Sequence, residues 1–447
     1  MGVLFGTDGV RGISNVDLTC ELAMNIGRAA AVVLTEETKH KPKVLIGKDT
    51  RLSSDMLEGA LIAGLCSIGA DVITLGYIST PAVAYLVKKY KADAGIMISA
   101  SHNPCEYNGI KIFDGNGFKL SDASEEKIEK LIEKGIKELP SGSELGKCRH
   151  EPKAVDDYIR HVIAATPSSL AGLKVAIDCA NGAASITAKK LFTGLGCECM
   201  MLSDKPDGIN INDNCGSTHM DNLCSYVKKH KCHAGIAFDG DADRCLCTDE
   251  NGTIIDGDQL IAIFADNMMD KGTLKNDTVV VTVMSNLGFF KFCEKRGIKN
   301  VATKVGDRYV LEDMLKNDYK IGGEQSGHII FLDHATTGDG QLSAAMFLDV
   351  LRQKEEKASK LAAIMDRYPQ VMINVTVTPE GKAKYSFDDK IKAAIEQAQA
   401  ELNNEGRILV RISGTEPLIR VMVEGKDFDM INNIALNVSE VIKLRLC

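Results

Sequence analysis

The chain has 447 residues, more than one ordinary domain holds, and this length predicts about three domains. With 45% hydrophobic and 26% charged residues, its composition is that of a folded protein and excludes a disordered or fibrous chain. The 53 basic and 61 acidic residues give a net charge of −8, and tryptophan is absent, which together argue against nucleic-acid binding. Because no apolar run is long enough for a membrane span and no signal peptide is evident, we expect a cytoplasmic protein without a membrane partner.

The 14 cysteines include two Cys-X-Cys pairs, Cys197 with Cys199 and Cys245 with Cys247, but no Cys-X-X-Cys pair. Both pairs lie in apolar, strand-like runs, where alternate residues share one face of a sheet. The nine histidines do not cluster beside them in the spacing of a zinc site. We therefore expect free thiols that behave as small hydrophobic side chains in a reducing compartment.

Strand-like and helix-like runs alternate along most of the chain. The first strands are predicted at 43–46, 71–75 and 94–99, and the first helices at 54–68, 82–89 and 125–134. The alternation restarts at 173–178, followed by a helix at 186–192, and again at 258–269, followed by 278–283. Alternating strands and helices indicate parallel sheets covered on both faces, and the restarts indicate three domains of similar build.

The pattern changes after about residue 369. An alternating strand at 371–377, a helix at 387–402, a hairpin at 407–424 and a final helix at 430–444 predict a compact α+β domain. We therefore expect an α/β protein that ends in a smaller α+β domain, with domains at 1–155, 156–255, 256–368 and 369–447.

The first chemically suggestive loop, Ser99-Ala100-Ser101-His102-Asn103-Pro104, follows an apolar strand. In open α/β sheets, ligands gather at the carboxyl ends of strands. Ser101, with the imidazole of His102 beside it, is therefore a candidate nucleophile or phosphoryl carrier. The alternative is an Asn-Pro turn whose hydroxyls satisfy the loop backbone.

The second loop contains Asp239, Asp241 and Asp243 and follows the apolar run 234–237. Three carboxylates at alternate positions can converge on one hard cation, and without a cation they would raise one another's pKa. The sequence does not match an EF-hand calcium loop, and the alternative is a solvated acidic turn. We expect a metal site, with Mg²⁺ preferred beside a phosphate oxygen.

The third loop, Gly322-Gly323-Glu324-Gln325-Ser326-Gly327-His328, lies between two strand-like runs. Its glycines allow a close approach to a ligand. Glu324 and Ser326 can bind neighbouring sugar hydroxyls, and His328 can transfer a proton. The alternative is a glycine-rich hairpin turn with polar decoration.

The fourth loop runs from Arg411 to Arg420 in the C-terminal domain. Two arginines, the hydroxyls of Ser413 and Thr415 and the flexible backbone at Gly414 predict a phosphate-binding site. The alternative is that the arginines form surface ion pairs with Glu416 or Glu424, which contribute little.

Three further segments carry polar side chains that could join these loops. Arg11 lies in the glycine-rich segment 5–12, and Lys111 begins a strand a few residues after the serine loop. The segment 304–308 is another polar loop.

Taken together, these motifs resemble those of the α-D-phosphohexomutase superfamily, from residue 5 to residue 420 and beyond. The serine, aspartate, Gly-Glu-Gln-Ser-Gly-His and Arg-Ile-Ser-Gly-Thr-Glu-Pro loops occur in the order of that family. Gln325 and the opening segment 5–12 resemble the corresponding motifs in the branch of the family that acts on glucosamine phosphates.

The resemblance implies three related mixed-sheet α/β domains and a smaller C-terminal α+β domain around a central cleft. It implies interconversion of glucosamine 6-phosphate and glucosamine 1-phosphate, through a phosphoserine enzyme and a 1,6-bisphosphate, on the route to UDP-N-acetylglucosamine and peptidoglycan precursors. Glucosamine or glucose 1,6-bisphosphate would be the activator, small hexosamine phosphates the partners and a homodimer one alternative for the assembly. The rival functions are mutases of glucose or mannose phosphates, a non-catalytic sugar-phosphate sensor and a metal-dependent phosphatase.

The resemblance also implies a role for each residue. Ser101 would be the phosphoserine, and its phosphoryl group would bind Mg²⁺ together with Asp239, Asp241 and Asp243. Either Lys111 or His328 would transfer the proton, while His102, Arg11 and Arg244 would complete the catalytic group. Sugar and phosphate binding would fall to a separate set, namely Glu324, Ser326, Arg411, Ser413, Gly414, Thr415 and Arg420.

Overall fold

The computed structural model describes residues 4–6, 8–36, 40–403, 405–413 and 416–447. The chain forms two compact units. The first extends to Met284 and includes Ile298–Ile364, and the second comprises Ser285–Gly297 and Met365–Cys447. The segment expected as a third domain, 256–368, therefore contributes to both units.

A six-stranded sheet begins the first unit. Its elements are the strands β1 (Val10–Ile13), β2 (Lys43–Lys48), β3 (Asp71–Tyr77), β4 (Ala94–Ile98), β5 (Tyr107–Asp114) and β6 (Cys148–His150), with the helices α1 (Cys20–Thr35), α2 (Leu52–Ser67), α3 (Thr80–Tyr90) and α4 (Asp122–Lys134). The strand order is β1-β5-β4-β2-β3-β6. β2 is parallel to β3 and β4, whereas β5 is antiparallel to β1 and β4, so the sheet is mixed.

Helices cover both faces of this sheet, as the alternation of strands and helices predicts. Ala94, Ile96 and Ile98 of β4 join a core with residues of α1, α2 and α4. On the other face, a Cβ on Gly95 would lie 2.4 Å from a methyl group of Val87 on α3. Every residue of β4 is buried, which is typical of a central strand.

The second sheet consists of β7 (Lys174–Asp178), β8 (Glu198–Leu202), β9 (Ala234–Phe238), β10 (Cys245–Thr248) and β11 (Ile254–Ile255), with the helices α5 (Ala154–Ala165), α6 (Ala184–Gly194) and α7 (Asp221–His230). The strand order is β11-β10-β9-β7-β8. β7 is parallel to β8 and β9, and the hairpin strands β10 and β11 are antiparallel.

The third sheet has the order β13-β12-β14-β15. Its strands are β12 (Thr278–Thr282), β13 (Lys299–Thr303), β14 (Ile321–Gly323) and β15 (Ile329–Phe331), and the helices along this part of the chain are α8 (Gly257–Asp270), α9 (Leu287–Arg296), α10 (Asp307–Asn317), α11 (Gly340–Lys354) and α12 (Ala358–Ala362). Of these helices, α9 belongs to the second unit.

The second unit contains an antiparallel sheet in the order β16-β18-β17. Its strands are β16 (Gln370–Thr376), β17 (Arg407–Ile412) and β18 (Leu418–Glu424), and its other helices are α13 (Pro379–Lys384), α14 (Asp389–Glu401) and α15 (Phe428–Leu446). Apolar residues of β16 and β18 pack with α14 and α15 in one core. This confirms the predicted α+β character of the C-terminal part.

The fold places three of the predicted loops at strand ends within the first unit. β4 leads to Ser101, β9 to Asp239 and β14 to Glu324. No helix in the described ranges is long and apolar enough to cross a membrane.

Candidate active site

Ser101 lies just beyond β4 and is 1% exposed. Its backbone is left-handed, with φ of 53°. The hydroxyl donates to Asp239 Oδ2 at 2.5 Å, and His102 Nδ1 lies 3.4 Å from Ser101 Oγ. The predicted nucleophile is therefore in direct contact with the predicted metal loop.

The three aspartates of that loop are buried and close together. Asp239, Asp241 and Asp243 are at most 3% exposed, and one oxygen from each lies within 4.8 Å of the other two. Asp241 Oδ1 and Asp243 Oδ1 have no hydrogen-bond partner among the described residues. Buried carboxylate oxygens without a partner are costly, and a hard cation is the ligand that three such oxygens suit. The residues present therefore fit a divalent metal ion.

Gly240 permits the serine and aspartate loops to approach each other. A Cβ at this position would lie 2.5 Å from the carbonyl oxygen of Ser101, closer than any side-chain carbon can come. A larger residue would push the loops apart, so the glycine is required by the contact itself.

Lys111 on β5 supplies the counter-charge of the acidic loop. Its Nζ lies 2.7 Å from Asp241 Oδ2, 2.9 Å from Asp8 Oδ2 and 3.1 Å from Asp243 Oδ2. Burial acts to lower the pKa of Lys111, but the carboxylates of Asp241, Asp243 and Asp8 outweigh it and raise this pKa well above its usual range. The Lys111 side chain is 1% exposed, so its ion pairs with Asp241 and Asp243 are shielded from solvent.

Two carboxyls of the loop have opposite pKa shifts. Burial, followed by the charges of Asp243 and Asp241, raises the pKa of Asp239 well above its usual range. Burial acts on Asp243 too, but Lys111 and His328 outweigh it, and the pKa of Asp243 is lowered well below its usual range. The difference follows from distance to a cation, because Lys111 bonds to Asp243 and not to Asp239.

His102 and Arg244 form a pair beside Ser101. Arg244 Nη1 donates to His102 Nδ1 at 3.0 Å. Burial, followed by the charges of Arg244 and Arg11, lowers the pKa of His102 to about 4. The imidazole is therefore neutral near pH 7 and presents Nδ1 as an acceptor.

Glu324 and His328 close a tight turn after β14. Glu324 N donates to His328 O at 3.0 Å, Gly327 N donates to Glu324 O at 2.9 Å, and Glu324 Oε1 accepts from Gly306 N at 3.1 Å. Gly327 O in turn accepts from Cys245 N at 3.0 Å, which attaches this turn to the strand that follows the aspartate loop. The third loop thus lies against the second.

His328 is buried between two partners that require opposite protonation of Nε2. The amide of Gly338 donates to Nε2 at 3.0 Å, whereas Asp307 Oδ2 lies 3.3 Å from the same nitrogen. Nδ1 lies 3.8 Å from Asp243 Oδ2. Burial acts to lower the pKa of His328, but Asp243 and Asp307 outweigh it and raise this pKa. Loss or gain of a proton at Nε2 therefore exchanges one partner for the other.

Ser326, the second predicted sugar ligand, is exposed. No hydrogen bond to its hydroxyl is present in the part of the chain that the structure describes. It lies on the same turn as Glu324 and remains available to a ligand.

The sequence reasoning missed a charged group that lies next to the predicted residues. Lys119 Nζ lies 2.5 Å from Asp8 Oδ1 and 2.5 Å from Asp307 Oδ2. Asp8 Oδ2 also accepts from Arg11 Nη2 at 2.5 Å. Asp8 and Asp307 lie in the segments 5–12 and 304–308, which the sequence had singled out. Lys119 forms an isolated bridge with Phe113 and has no sequence motif around it.

The fourth predicted loop lies in the second unit. Arg411 on β17 is the direct cross-strand partner of Arg420 on β18. Arg420 Nη2 lies 2.6 Å from Glu416 Oε2, as the surface-pair alternative requires, and Ser413 Oγ accepts from Glu416 N at 3.2 Å. Arg411 has no carboxylate within ion-pairing distance among the described residues. Two further predicted phosphate ligands, Gly414 and Thr415, lie outside the described residues.

Comparison with known proteins identifies the family. Four families described as phosphoglucomutase/phosphomannomutase match the chain: alpha/beta/alpha domain I at residues 2–138, domain II at 156–252, domain III at 256–368 and the C-terminal domain at 372–441. A phosphoglucosamine mutase from Clostridium acetobutylicum is 54% identical over 445 residues, which is 99% of each chain.

Solved structures share the fold. A phosphoglucomutase/phosphomannomutase family protein from Burkholderia thailandensis superposes with a TM-score of 0.82 at 23% identity, covering 97% of both chains. The N-acetylphosphoglucosamine mutase of Aspergillus fumigatus, solved with GlcNAc-6P and magnesium, has a TM-score of 0.66 at 15% identity and covers 100% of this chain and 96% of its own. Since four family domains and a full-length relative of high identity agree with this fold, the chain belongs to the phosphoglucomutase/phosphomannomutase family and, within it, to the phosphoglucosamine mutases.

Proposed function

We propose that the enzyme interconverts glucosamine 6-phosphate and glucosamine 1-phosphate, with Ser101 as the phosphoryl carrier. The observation that carries this proposal is the contact between the Ser101 hydroxyl and Asp239, 2.5 Å apart, at the edge of a buried carboxylate cluster. The identity of 54% to a phosphoglucosamine mutase supports the choice of sugar.

The metal of this site would be Mg²⁺, held by Asp239, Asp241 and Asp243 and by an oxygen of the phosphoryl group on Ser101. The unpartnered Asp241 Oδ1 and Asp243 Oδ1 support this assignment, as does magnesium in the fungal structure. When bound, the cation would neutralise charge on the phosphoryl group in transfer.

In the reaction, the bond between phosphorus and Ser101 Oγ breaks as a bond forms from phosphorus to a free sugar hydroxyl. The proton of that hydroxyl passes to a base of the site, and Ser101 Oγ takes up a proton. The product is a 1,6-bisphosphate, glucosamine 1,6-bisphosphate for this substrate. Transfer of its other phosphoryl group back to Ser101 releases the isomer and restores the phosphoserine. Glucosamine or glucose 1,6-bisphosphate would therefore also load the unmodified serine.

Lys111 and His328 remain the two candidates for the proton transfer. Lys111 is held by three carboxylates, whereas His328 Nε2 can exchange Gly338 for Asp307 when it gains a proton. His102, Arg11 and Arg244 would add hydrogen bonds and positive potential around the phosphoryl group.

We assign the sugar hydroxyls to Glu324 and Ser326 and a phosphate group of the substrate to the C-terminal loop. Arg411 has no carboxylate partner among the described residues, and Arg420 is paired with Glu416. Each can present a guanidinium to phosphate oxygens. Ser413, Gly414 and Thr415 would add hydroxyl and backbone donors.

The boundaries 1–155, 156–255, 256–368 and 369–447 would be those of four domains. The product would feed UDP-N-acetylglucosamine and peptidoglycan precursor synthesis in the cytoplasm, and neither nucleic acid nor membrane would be a partner. A homodimer is one alternative for the assembly.

Parallel turnover of glucosamine 6-phosphate, glucose 1-phosphate and mannose 1-phosphate tests the proposal. Each assay contains Mg²⁺ and a trace of the matching 1,6-bisphosphate. We expect a preference for glucosamine 6-phosphate without release of inorganic phosphate. A preference for glucose or mannose phosphate would move the enzyme to another branch of the family. Released phosphate would indicate a phosphatase, and no turnover with phosphorylated Ser101 would indicate a sensor.

Two variants test the residue roles in the same assay. Ser101→Ala should abolish turnover, and Asp241→Asn should remove the dependence on Mg²⁺ together with most of the activity, about 100-fold or more. Asp249→Asn is the matched control, because Asp249 is also a buried aspartate in the second sheet's hairpin, but its carboxylate accepts from the turn amides of Asn251 and Thr253. Full activity of Asp241→Asn would contradict the metal assignment.

A further inference from the structure

Arg51, at the start of α2, is buried. Every N–H of its guanidinium group donates a hydrogen bond, either to the segment 101–107 or to Asp49. Nε donates to Asp49 Oδ2 at 2.8 Å. The two terminal nitrogens donate to four main-chain carbonyls, namely Pro104 O at 2.5 Å, Tyr107 O at 3.0 Å, Ser101 O at 2.9 Å and Asn103 O at 2.9 Å. Five donors thus have five acceptors, which is the full capacity of an arginine.

Asn212, from the loop that precedes α7, reaches two of the same carbonyls from another segment of the chain. Its Nδ2 donates to Ser101 O at 2.9 Å and to Asn103 O at 3.0 Å. The residue is 7% exposed. Each of the two carbonyls therefore accepts one hydrogen bond from Arg51 and one from Asn212.

The other side of the Ser101 backbone is held as well. The amide of Ser101 donates to Ser99 Oγ at 2.9 Å, and Ser99 Oγ donates to Asp49 Oδ2 at 2.6 Å. Asp49 Oδ2 is the oxygen that also receives Arg51 Nε. A single buried chain of hydrogen bonds thus fixes both peptide groups of Ser101.

These contacts lie behind the hydroxyl and take no part in the predicted chemistry. A buried arginine–aspartate pair contributes little net stability, because desolvation offsets its attraction. Left-handed backbone at a non-glycine residue is unfavourable and persists only where its surroundings determine it. The hydrogen bonds around Ser101 hold its backbone in the left-handed conformation, and this conformation sets the direction of Oγ.

We propose that Arg51 and Asn212 are positioning residues for the phosphoryl carrier: by sharing the carbonyls of residues 101 and 103, they hold the left-handed backbone that points Ser101 Oγ at Asp239. The inference rests on the proposed function in that Ser101 is the residue that carries the phosphoryl group. A misplacement of about 1 Å at a reacting atom costs about 100-fold in rate. Loss of the hydrogen bonds from either Arg51 or Asn212 should therefore slow phosphoryl transfer and leave sugar affinity nearly unchanged.

Loading of Ser101 by glucose 1,6-bisphosphate isolates the step. A sugar O–P bond breaks, the Ser101 Oγ–P bond forms, and the serine proton passes to the departing sugar oxygen. Intact-mass measurement follows the gain of one phosphoryl group with time, at saturating bisphosphate and Mg²⁺. The variants are Arg51→Lys, which keeps the charge but has fewer donors, and Asn212→Ala, which removes both donors of its amide.

We expect each variant to load at least tenfold more slowly than wild type, with the concentration of bisphosphate at half-maximal rate changed less than twofold. Because both side chains hold the same two carbonyls, the double variant should be slower by less than the product of the single effects. Unfolding curves establish whether each variant is folded. If Arg51→Lys does not fold, Asn212→Ala alone decides the test.

Asn286→Ala is the matched control. Asn286 is 1% exposed and donates from Nδ2 to a main-chain carbonyl, Tyr368 O at 3.0 Å, but it lies in the second unit. It should lower the unfolding midpoint as Asn212→Ala does, with a loading rate within twofold of wild type. Loading of folded Arg51→Lys and Asn212→Ala at the wild-type rate would overturn the positioning inference. Failure of wild-type Ser101 to load at all would instead overturn the proposed function.

Discussion

Neighbours, more than residue type, set the charge state of the carboxyl groups in this protein. Glu125 on α4 illustrates this outside the metal loop. Burial, with contributions from Asp122 and Glu129, raises its pKa to about 7, although Arg308 opposes the shift. The Arg308 guanidinium lies 3.7 Å from Glu125 but 2.5 Å from Asp122, so its charge is mainly engaged elsewhere.

A pH dependence of stability follows. Because the pKa of Glu125 is higher in the folded state than the ordinary 4.5, the folded protein binds this proton more tightly. The free energy of unfolding therefore loses a contribution as pH rises from about 4.5 to about 7. Glu125→Gln cannot ionise and should be more stable than wild type at pH 8 by about 1 kcal/mol, with a smaller difference at pH 5.

Urea unfolding of both proteins at the two pH values measures this difference. Glu126→Gln is the control, because Glu126 is the adjacent residue, its side chain is 54% exposed and its carboxylate lies 3.7 Å from Lys130 Nζ. The idea fails if Glu125→Gln is destabilised equally at both pH values.

Which residues could be anticipated depends on how local their partners are. Ser101 and the three aspartates carry their chemistry within a few consecutive positions, so the sequence indicates them directly. Arg51 bonds to carbonyls fifty or more residues away. Because every residue has a backbone carbonyl, such acceptors cannot be recognised from residue type. Lys119 likewise acquires its role only when the fold brings Asp8 and Asp307 to it.

At the scale of elements, the antiparallel pair β17–β18 places two like charges side by side in the proposed phosphate site. Arg411 and Arg420 stand opposite each other. Burial, followed by the charge of Arg420, lowers the pKa of Arg411. Like charges directly across two strands destabilise a sheet, so this hairpin retains a repulsion that a phosphate dianion would relieve.

Replacement of one guanidinium should separate the two effects. Arg411→Gln is expected to raise the stability of the enzyme by about 0.5 kcal/mol through loss of the cross-strand repulsion. The same variant should raise KM for glucosamine 6-phosphate about tenfold or more, because an arginine–phosphate contact is lost. Thermal unfolding with and without inorganic phosphate, together with kinetics, measures both changes.

Arg445→Gln is the control in the same unit, because Arg445 has a partner of opposite charge, Asp388 Oδ2 at 2.9 Å. It should leave KM unchanged and should not raise stability. Unchanged KM in Arg411→Gln would remove Arg411 from the phosphate site.

Most elements of regular structure could be anticipated, because their apolar periodicity is strong. The buried strands β4 and β9 and the amphipathic helices α14 and α15 lie where the pattern predicts them. The helices α1, α5, α7, α10 and α11 were not predicted, and neither was α9. Its apolar residues, including Phe289 and Phe292, are buried. The helix has only ten residues with little amphipathic periodicity, so its sequence does not predict the core in which it packs.

For the molecule as a whole, the cysteines show what burial does to reactivity. All 14 are free thiols, and only Cys148 and Cys447 are exposed. Burial raises the pKa of Cys197 to about 12 and that of Cys215, where Asp178 adds to it, to about 11. These thiols are therefore poor nucleophiles in the folded protein.

Thiol labelling under native conditions should accordingly be selective. A maleimide at neutral pH is expected to modify Cys148 and Cys447 within minutes, as mapped by peptide mass spectrometry. The buried cysteines, namely Cys179, Cys197, Cys215, Cys232, Cys245, Cys247 and Cys293, should react at least 100-fold more slowly and become accessible in urea. Rapid native labelling of Cys245 or Cys247 would contradict the packing of the second sheet.

The discontinuity of the second unit bears on how the protein is made. During synthesis, Ser285–Gly297 leaves the ribosome well before Met365–Cys447, the segment with which it packs. Until translation ends, Phe289 and Phe292 of α9 have no completed core to enter, although both are buried in the finished protein. Nascent chains stalled between residues 297 and 365 should therefore be bound by chaperones that recognise exposed aromatic segments. A cell that makes this enzyme thus has to protect one helix for the time that translation of the last 150 residues takes.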